Sequence, residues 1–245
     1  RKSLAFLDVG QGDCFVADTK SGMIIFDGGS SSEDQVGRYR ILPYMKYLGY
    51  QKIQIAVISH MDIDHYSGIK ELLEMGKIKY LGLPEIPKDE TMKKIIGIAK
   101  KRGTTIFYLS RGRQITTKDG SLKVLHPQKN SQMEKNAASL VMQGKILGYR
   151  VLLTGDVEKE GEEELLSEEL ERADILKAAH HGSKNSTSNE FLQKVQPKQT
   201  VISCGKQNRY GHPHLETIHR LQTYRTKIYR TDRSGAIIFF KRRDG

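Results

Sequence analysis

Six consecutive residues, His60-Met61-Asp62-Ile63-Asp64-His65, place two imidazoles and two carboxylates directly after the apolar run Ile53 to Ile58. An apolar, β-branched run of that length predicts a buried strand. Beyond Ser67, the spacing of Ile69, Leu72 and Leu73 predicts a helix over 67–75. The charged hexad therefore belongs on a strand-to-helix turn. In an extended turn, positions i, i+2 and i+4 can point the same way. His60, Asp62 and Asp64 would then converge, with His65 joining them from the first helical turn. Carboxylates beside neutral imidazoles make a divalent-metal site. The plainer alternative is a solvated polar turn, and four potential ligands at one strand end weigh against it.

The rest of the chain reads as short strands and helices. Leu4 to Val9, Cys14 to Asp18 and Met23 to Phe26 predict three strands, the last ending at Asp27-Gly28-Gly29, where glycine permits a close turn. A helix is expected over 39–49. After the hexad come strands over 78–83, 104–109, 121–125, 138–142 and 149–154, with a helix near 89–102 and another over 158–171. Asp174 to Ala179 reads as a buried strand delivering His180-His181. A helix over 189–195, a strand over 199–204, a helix over 214–224 and strands over 226–231 and 235–241 complete the chain. Two strand-rich halves with their own helices suggest two packed sheets with helices outside. There is no internal repeat and no linker, so residues 1–245 are expected to form one domain.

Charge matters because it constrains partners. The 245 residues carry 40 Lys and Arg against 29 Asp and Glu, a net charge of +11. A basic surface attracts polyanions through counterion release, although excess lysine can also be a plain solubilising surface. Cys14 and Cys204 lie in separate apolar segments and read as buried free thiols. No run approaches the length of a membrane span. The chain begins with Arg and shows no signal-peptide pattern, which suggests a piece of a longer protein.

His60 to His65 resembles the HxHxDH signature of the metallo-β-lactamase fold, with Asp62 replacing the second histidine. Together with Leu7 to Asp13 (LDVGQGD), Leu152 to Asp156 (LLTGD), Ala179 to Ser183 (AHHGS) and Asn208 to His214 (NRYGHPH), it resembles the C-terminal hydrolase domain of the ComEC family of competence DNA-uptake channels. The resemblance implies an α/β, metallo-β-lactamase-like αββα four-layer sandwich of two mixed β-sheets. It also implies two divalent metal ions, with His60, Asp62 and His126 holding one and Asp64, His65 and one of His180 or His181 the other. Asp156 would bridge them, although alone it reads as a helix cap. Asp27 would orient a metal-bound histidine. An isolated histidine before Pro127 has a bland reading too, as a strand-end imidazole capped by backbone.

Asp62 in place of an imidazole shifts preference toward manganese or magnesium, with zinc still possible. Asn208 and His212 would touch a phosphate, His212 protonating the leaving group, while Arg209 and Tyr210 add a phosphate contact and a stacking face. A helix entry is the bland reading of that loop. Gln11, Asp13, Lys184, Asn185 and Ser186 are lesser candidates for the same rim. The implied function is a metal-dependent phosphodiesterase or nuclease acting on DNA, degrading one strand during uptake. Its partners would be DNA, the membrane-channel portion of the same polypeptide and the uptake machinery, at the extracytoplasmic face of the bacterial membrane, with no small-molecule cofactor. The alternatives are a phosphodiesterase on a small or cell-surface substrate such as phosphocholine, and a weakly catalytic DNA-binding module.

Overall fold

The computed structural model describes residues 2–133, 135–168 and 170–242. The first half runs β1 (Ser3–Phe6), β2 (Phe15–Thr19), β3 (Gly22–Phe26), α1 (Leu42–Tyr47), β4 (Ile53–Val57), α2 (Ile63–Glu74), β5 (Ile78–Pro84), α3 (Glu90–Lys101) and β6 (Thr105–Leu109). The second runs β7 (Gln114–Thr117), β8 (Gly120–His126), β9 (Val141–Ile146), β10 (Tyr149–Leu153), α4 (Lys159–Leu166), β11 (Ile175–Lys177), α5 (Asn189–Val195) and β12 (Gln199–Ile202). Then come α6 (Leu215–Thr223), β13 (Lys227–Arg230), α7 (Thr231–Ser234) and β14 (Ile237–Phe240).

The strands form two seven-stranded sheets, ordered β14-β1-β2-β3-β4-β5-β6 and β13-β12-β11-β10-β9-β8-β7. Each sheet is antiparallel on one side and parallel on the other. Parallel pairing begins at β3–β4 in the first sheet and at β10–β11 in the second. β14 returns to pair with β1, so the end of the second half closes the edge of the first sheet.

The three cores show the layering. Phe6, Phe15, Ile24, Phe26 and Val57 of the first sheet pack with Val124, Met142, Val151, Leu153 and Val201 of the second. The outer face of the first sheet is covered by Met45, Ile69, Leu72, Met92 and Ile95. The outer face of the second is covered by Leu165, Phe191, Leu192 and Leu221. This is the αββα sandwich expected from the resemblance. Apolar residues alternate strictly only where one face is wet, and here both faces of both sheets are covered.

Expectations change at the site and along the second sheet: the strand expected over 138–142 is β9, and the helix expected over 158–171 is α4, which ends at Leu166. The helix after the hexad starts at Ile63, not Ser67, with Asp62 as its N-cap and the His65 and Tyr66 amides both donating to the Asp62 carbonyl. Asp64 and His65 are thus both in the first helical turn, and the extended spacing holds only from His60 to Asp62. β11 ends at Lys177, and His180 and His181 lie in a tight turn with φ values of 47° and 52°. Both have left the strand, so strand alternation does not decide which of them turns inward. The sequence also gave no sign of the edge strand β7.

Candidate metal centre

Ligands collect where strands end at the two changes from antiparallel to parallel pairing, the usual place for a site in an α/β sheet. Asp27 follows β3, Ser59 and His60 follow β4, Asp156 follows β10, and the histidine turn follows β11. Glycines let the loops close over them. A Cβ on Gly12 would lie 2.1 Å from the Gly29 carbonyl oxygen and 2.7 Å from that of Asp64. One on Gly29 would lie 2.5 Å from the Ile63 carbonyl oxygen. These loops can press on the start of α2 only without side chains.

At the centre, one ligand atom each from Asp64, His65, Asp156 and His181 falls within 4.8 Å of the others. Asp156 Oδ2 is 3.0 Å from His65 Nε2 and 3.3 Å from His181 Nε2. His181 Nε2 is also 3.2 Å from Asp64 Oδ2. The Nε2 atoms of His60, His65 and His181 are buried and have no hydrogen-bond partner among the described residues. Buried polar atoms are seldom left so. Three unpartnered imidazole nitrogens beside carboxylate oxygens fit divalent cations, to which neutral imidazole and carboxylate both bind.

The far nitrogens are held from behind. His65 Nδ1 donates to Asp27 Oδ2 at 2.9 Å, and Asp27 accepts at 2.7 Å from both the Ser59 amide and the Ser59 hydroxyl. His181 Nδ1 donates to the Ser203 carbonyl at 2.9 Å and lies 3.3 Å from Asp13 Oδ1. Such partners orient ligating imidazoles. Without metal, the charges couple strongly. Burial by itself would raise the Asp64 carboxyl, but the hydrogen bond to His181 and the charge of His65 hold it at about 2. Burial would lower His65, yet Asp156 and Asp27 push it well above its ordinary value. A cation bound here would have to replace protons on these rings.

Not every expected residue arrives here. His126 does not: its Nε2 donates to the Ala137 carbonyl at 2.7 Å, and its Nδ1 is 3.2 Å from Glu164, which Arg111 also holds. Its Nε2 is committed to a contact between β8 and the 135–138 turn, its Nδ1 faces α4, and the ring is not among the side chains that gather around Asp156, so the geometry does not give His126 the expected ligand role. Among the described residues, the Asp62 carboxylate pairs with His60 alone, at 3.6 Å, and it is half exposed. Of the histidine pair, His181 is buried at the centre. His180 stands at the rim, with Nδ1 2.7 Å from Glu158 and Nε2 3.9 Å from Asp156 Oδ2.

The 208–214 loop covers the centre. Asn208 spends its amide on the loop itself, donating to the Gly205 and His212 carbonyls and accepting from the His212 amide. It shapes the loop and has no group left over for a phosphate. His212 packs against His180 and His181, ring centroids 5.4 and 6.1 Å away. Burial, with help from the neighbouring histidines, lowers it to about 4. Arg209 lies 4.9 Å over the Tyr210 ring and donates to its hydroxyl, both exposed. Gln11 is buried, its carbonyl accepting from the Gly205 amide and its NH2 3.4 Å from His212 Nδ1. Lys184 is exposed, its amide bonded to His214, and Ser186 is buried, bonded to the Ala179 carbonyl. Asn185 is exposed.

Two residues matter more than their sequence context indicated. Asp13, expected at the rim, is buried behind His181 and His65, and Lys177, passed over inside an apolar strand, is buried against Asp13. Their signal was faint: one carboxylate between turn glycines, and one lysine in an otherwise apolar run.

Residues 7–206 match the profile of the metallo-beta-lactamase superfamily. The chain belongs to that superfamily. It is 37% identical over 259 residues to ComE operon protein 3 of Bacillus subtilis (strain 168), covering 98% of this chain and 33% of that protein. It is 30% identical over 248 residues to Competence protein ComA of Neisseria gonorrhoeae, covering 97% of this chain and 32% of that protein. The chain thus spans about a third of the length of these relatives. The ComEC-type resemblance seen in its motifs is borne out. Among solved structures, the metallo-beta-lactamase fold protein YhfI from Bacillus subtilis superposes with a TM-score of 0.63 over 98% of this chain and 99% of that one. At 13% identity, it speaks to the fold alone. Among the described residues, no helix is long and apolar enough to cross a membrane.

Proposed function

We propose that this superfamily member is a metal-dependent phosphodiesterase that cuts DNA during uptake, as one domain of a longer membrane protein. The observation that carries this is the convergence of Asp64, His65, Asp156 and His181, with unpartnered imidazole nitrogens, beneath a loop bearing Arg209 and Tyr210. The names of the competence relatives and the +11 charge favour DNA as the substrate.

Asp64, His65, Asp156 and His181 would hold one divalent ion. His60 and Asp62, sharing Asp156, would hold a second. Manganese suits the oxygen-rich set best, and zinc is accepted. Such ions supply an activated water and offset the charge on the phosphoryl oxygens. The chain's own residues do the rest. Asp27 and the Ser203 carbonyl fix the tautomers of His65 and His181. The Gln11 amide facing His212 Nδ1 leaves the ring proton on Nε2, where it can hydrogen-bond the departing oxygen. Arg209 adds a cation at the mouth, and Tyr210 gives a base a ring to stack on once Arg209 moves aside. Degrading one strand while the other enters places the domain on the outer face of the membrane.

The test is labelled single- and double-stranded DNA with Mn²⁺, alongside a chromogenic phosphodiester, EDTA and Asp64→Ala. Metal-dependent DNA cleavage lost in Asp64→Ala is expected. Cleavage that survives both EDTA and Asp64→Ala would sink the proposal, and turnover of the small diester alone would redirect it to a small or cell-surface substrate.

A further inference from the structure

Lys177 is 4% exposed, at the end of β11 between the two sheets. A lysine so enclosed needs acceptors for all its protons. Two are within hydrogen-bond reach, since the ammonium pairs with Asp13 Oδ2 and donates to the Gly155 carbonyl at 3.0 Å, and Asp156 Oδ1 lies at ion-pair distance, 3.6 Å away. The two oxygens of Asp156 therefore face different groups. Oδ1 faces the ammonium, while Oδ2 faces the Nε2 atoms of His65 and His181 at 3.0 and 3.3 Å. Asp13 is split the same way, with Oδ2 on Lys177 and Oδ1 3.3 Å from His181 Nδ1.

We propose that Lys177 is a positioning residue that holds Asp156 so that Oδ2 alone is presented to the metals, and that steadies His181 through Asp13. This rests on the metal reading above, but it makes a separate claim about one side chain. Two roles for the lysine can be told apart by sign. A bare positive charge near the site repels cations, so deleting it would tighten metal binding. A group that orients a ligand carboxylate does the opposite, and losing such a partner typically costs about 10- to 100-fold in metal affinity.

The experiment titrates Mn²⁺ calorimetrically into the metal-free protein, comparing wild type with Lys177→Met and Lys177→Gln. Lys46→Met, an exposed lysine on α1, controls for the same loss of net charge. Circular dichroism checks folding, and should Lys177→Met not fold, Lys177→Gln carries the comparison. Affinity is expected to fall at least tenfold in Lys177→Met and less in Lys177→Gln, which keeps donors, with Lys46→Met unchanged. Unchanged or tighter binding in both Lys177 variants overturns the proposal while leaving the metal site standing. Absence of Mn²⁺ binding by wild type overturns the metal reading itself.

Discussion

Asp27 accepts a hydrogen bond from Nδ1 of His65 at 2.9 Å, with neither side chain open to solvent. That bond fixes the ring so that Nε2 faces Asp156. Asp27→Asn should therefore weaken Mn²⁺ binding by about 10- to 100-fold. Asp27 has a φ of 57°, a region asparagine also tolerates, so the substitution reports on the carboxylate and not on backbone strain. Calorimetric titration is the measurement. Binding as tight as wild type would mean that packing alone orients the ring.

His126 offers a pH prediction. Burial pushes its imidazole below the ordinary value, with Arg111 adding in the same direction against the Ala137 carbonyl and Glu164. A depressed imidazole favours the neutral form in the folded state, so the unfolded state binds the extra proton. This contribution is fully present above the unfolded value of about 6.5. It is lost as pH falls from there toward the folded value. His126→Gln should lower stability at pH 7.5, and its deficit relative to wild type should shrink toward pH 5, followed by urea unfolding at each pH. Because Nε2 is held by the Ala137 carbonyl and the ring lies outside the cluster around Asp156, Mn²⁺ affinity should stay within about twofold of wild type. A metal affinity that collapses in His126→Gln would return His126 to the ligand set.

How much of this is legible in the sequence follows from how local each feature is. Asp62, Asp64 and His65 follow a strand end closely, so pattern and position single them out, whereas Asp156 at the end of an apolar run reads alone as a helix cap and only the family resemblance points to a metal role. The hexad's polarity hides the helical register of the start of α2, where the Asp62 carbonyl accepts amides from residues three and four ahead. The ligand role of His126 is implied by the resemblance alone, while its isolated reading as a strand-end imidazole capped by backbone matches the Nε2 bond to the Ala137 carbonyl. The partnership of Asp13 with Lys177 joins the β1–β2 loop to β11 across two sheets, and no local pattern encodes it. His180 and His181 share a motif, and only the left-handed turn sends one inward.

The glycine loops make a contrast between two substitutions. Gly12→Ala drives a methyl into the Gly29 and Asp64 carbonyls, where the backbone must shift. Overpacking of this kind costs about 1–3 kcal/mol. In a chain of this length that is a Tm loss of roughly 2–12 °C. Since Asp64 is one of the displaced residues, Mn²⁺ affinity should fall as well. Gly97 lies inside α3 with open space around it, so Gly97→Ala should stabilise by about 0.5–1 kcal/mol and leave metal binding alone. Scanning calorimetry with and without Mn²⁺ reads both. Equal effects on metal binding would deny any link between the loop and the site.

Loss of single ligands should be graded by burial. At free Mn²⁺ about a hundredfold above Kd, binding to the native state alone adds about 2.7 kcal/mol. That corresponds to a Tm rise of roughly 5–10 °C. His181→Ala removes an enclosed ring whose Nε2 contacts both Asp64 and Asp156, so the rise should vanish. Asp62→Ala removes a half-exposed carboxylate that, among the described residues, pairs with His60 alone, so much of the rise should remain. The order separates a tight inner position on Asp64, His65, Asp156 and His181 from a weaker outer one on His60 and Asp62. If Asp62→Ala abolishes the shift and His181→Ala preserves it, the ions bind in the reverse order and the inner cluster is not the primary site.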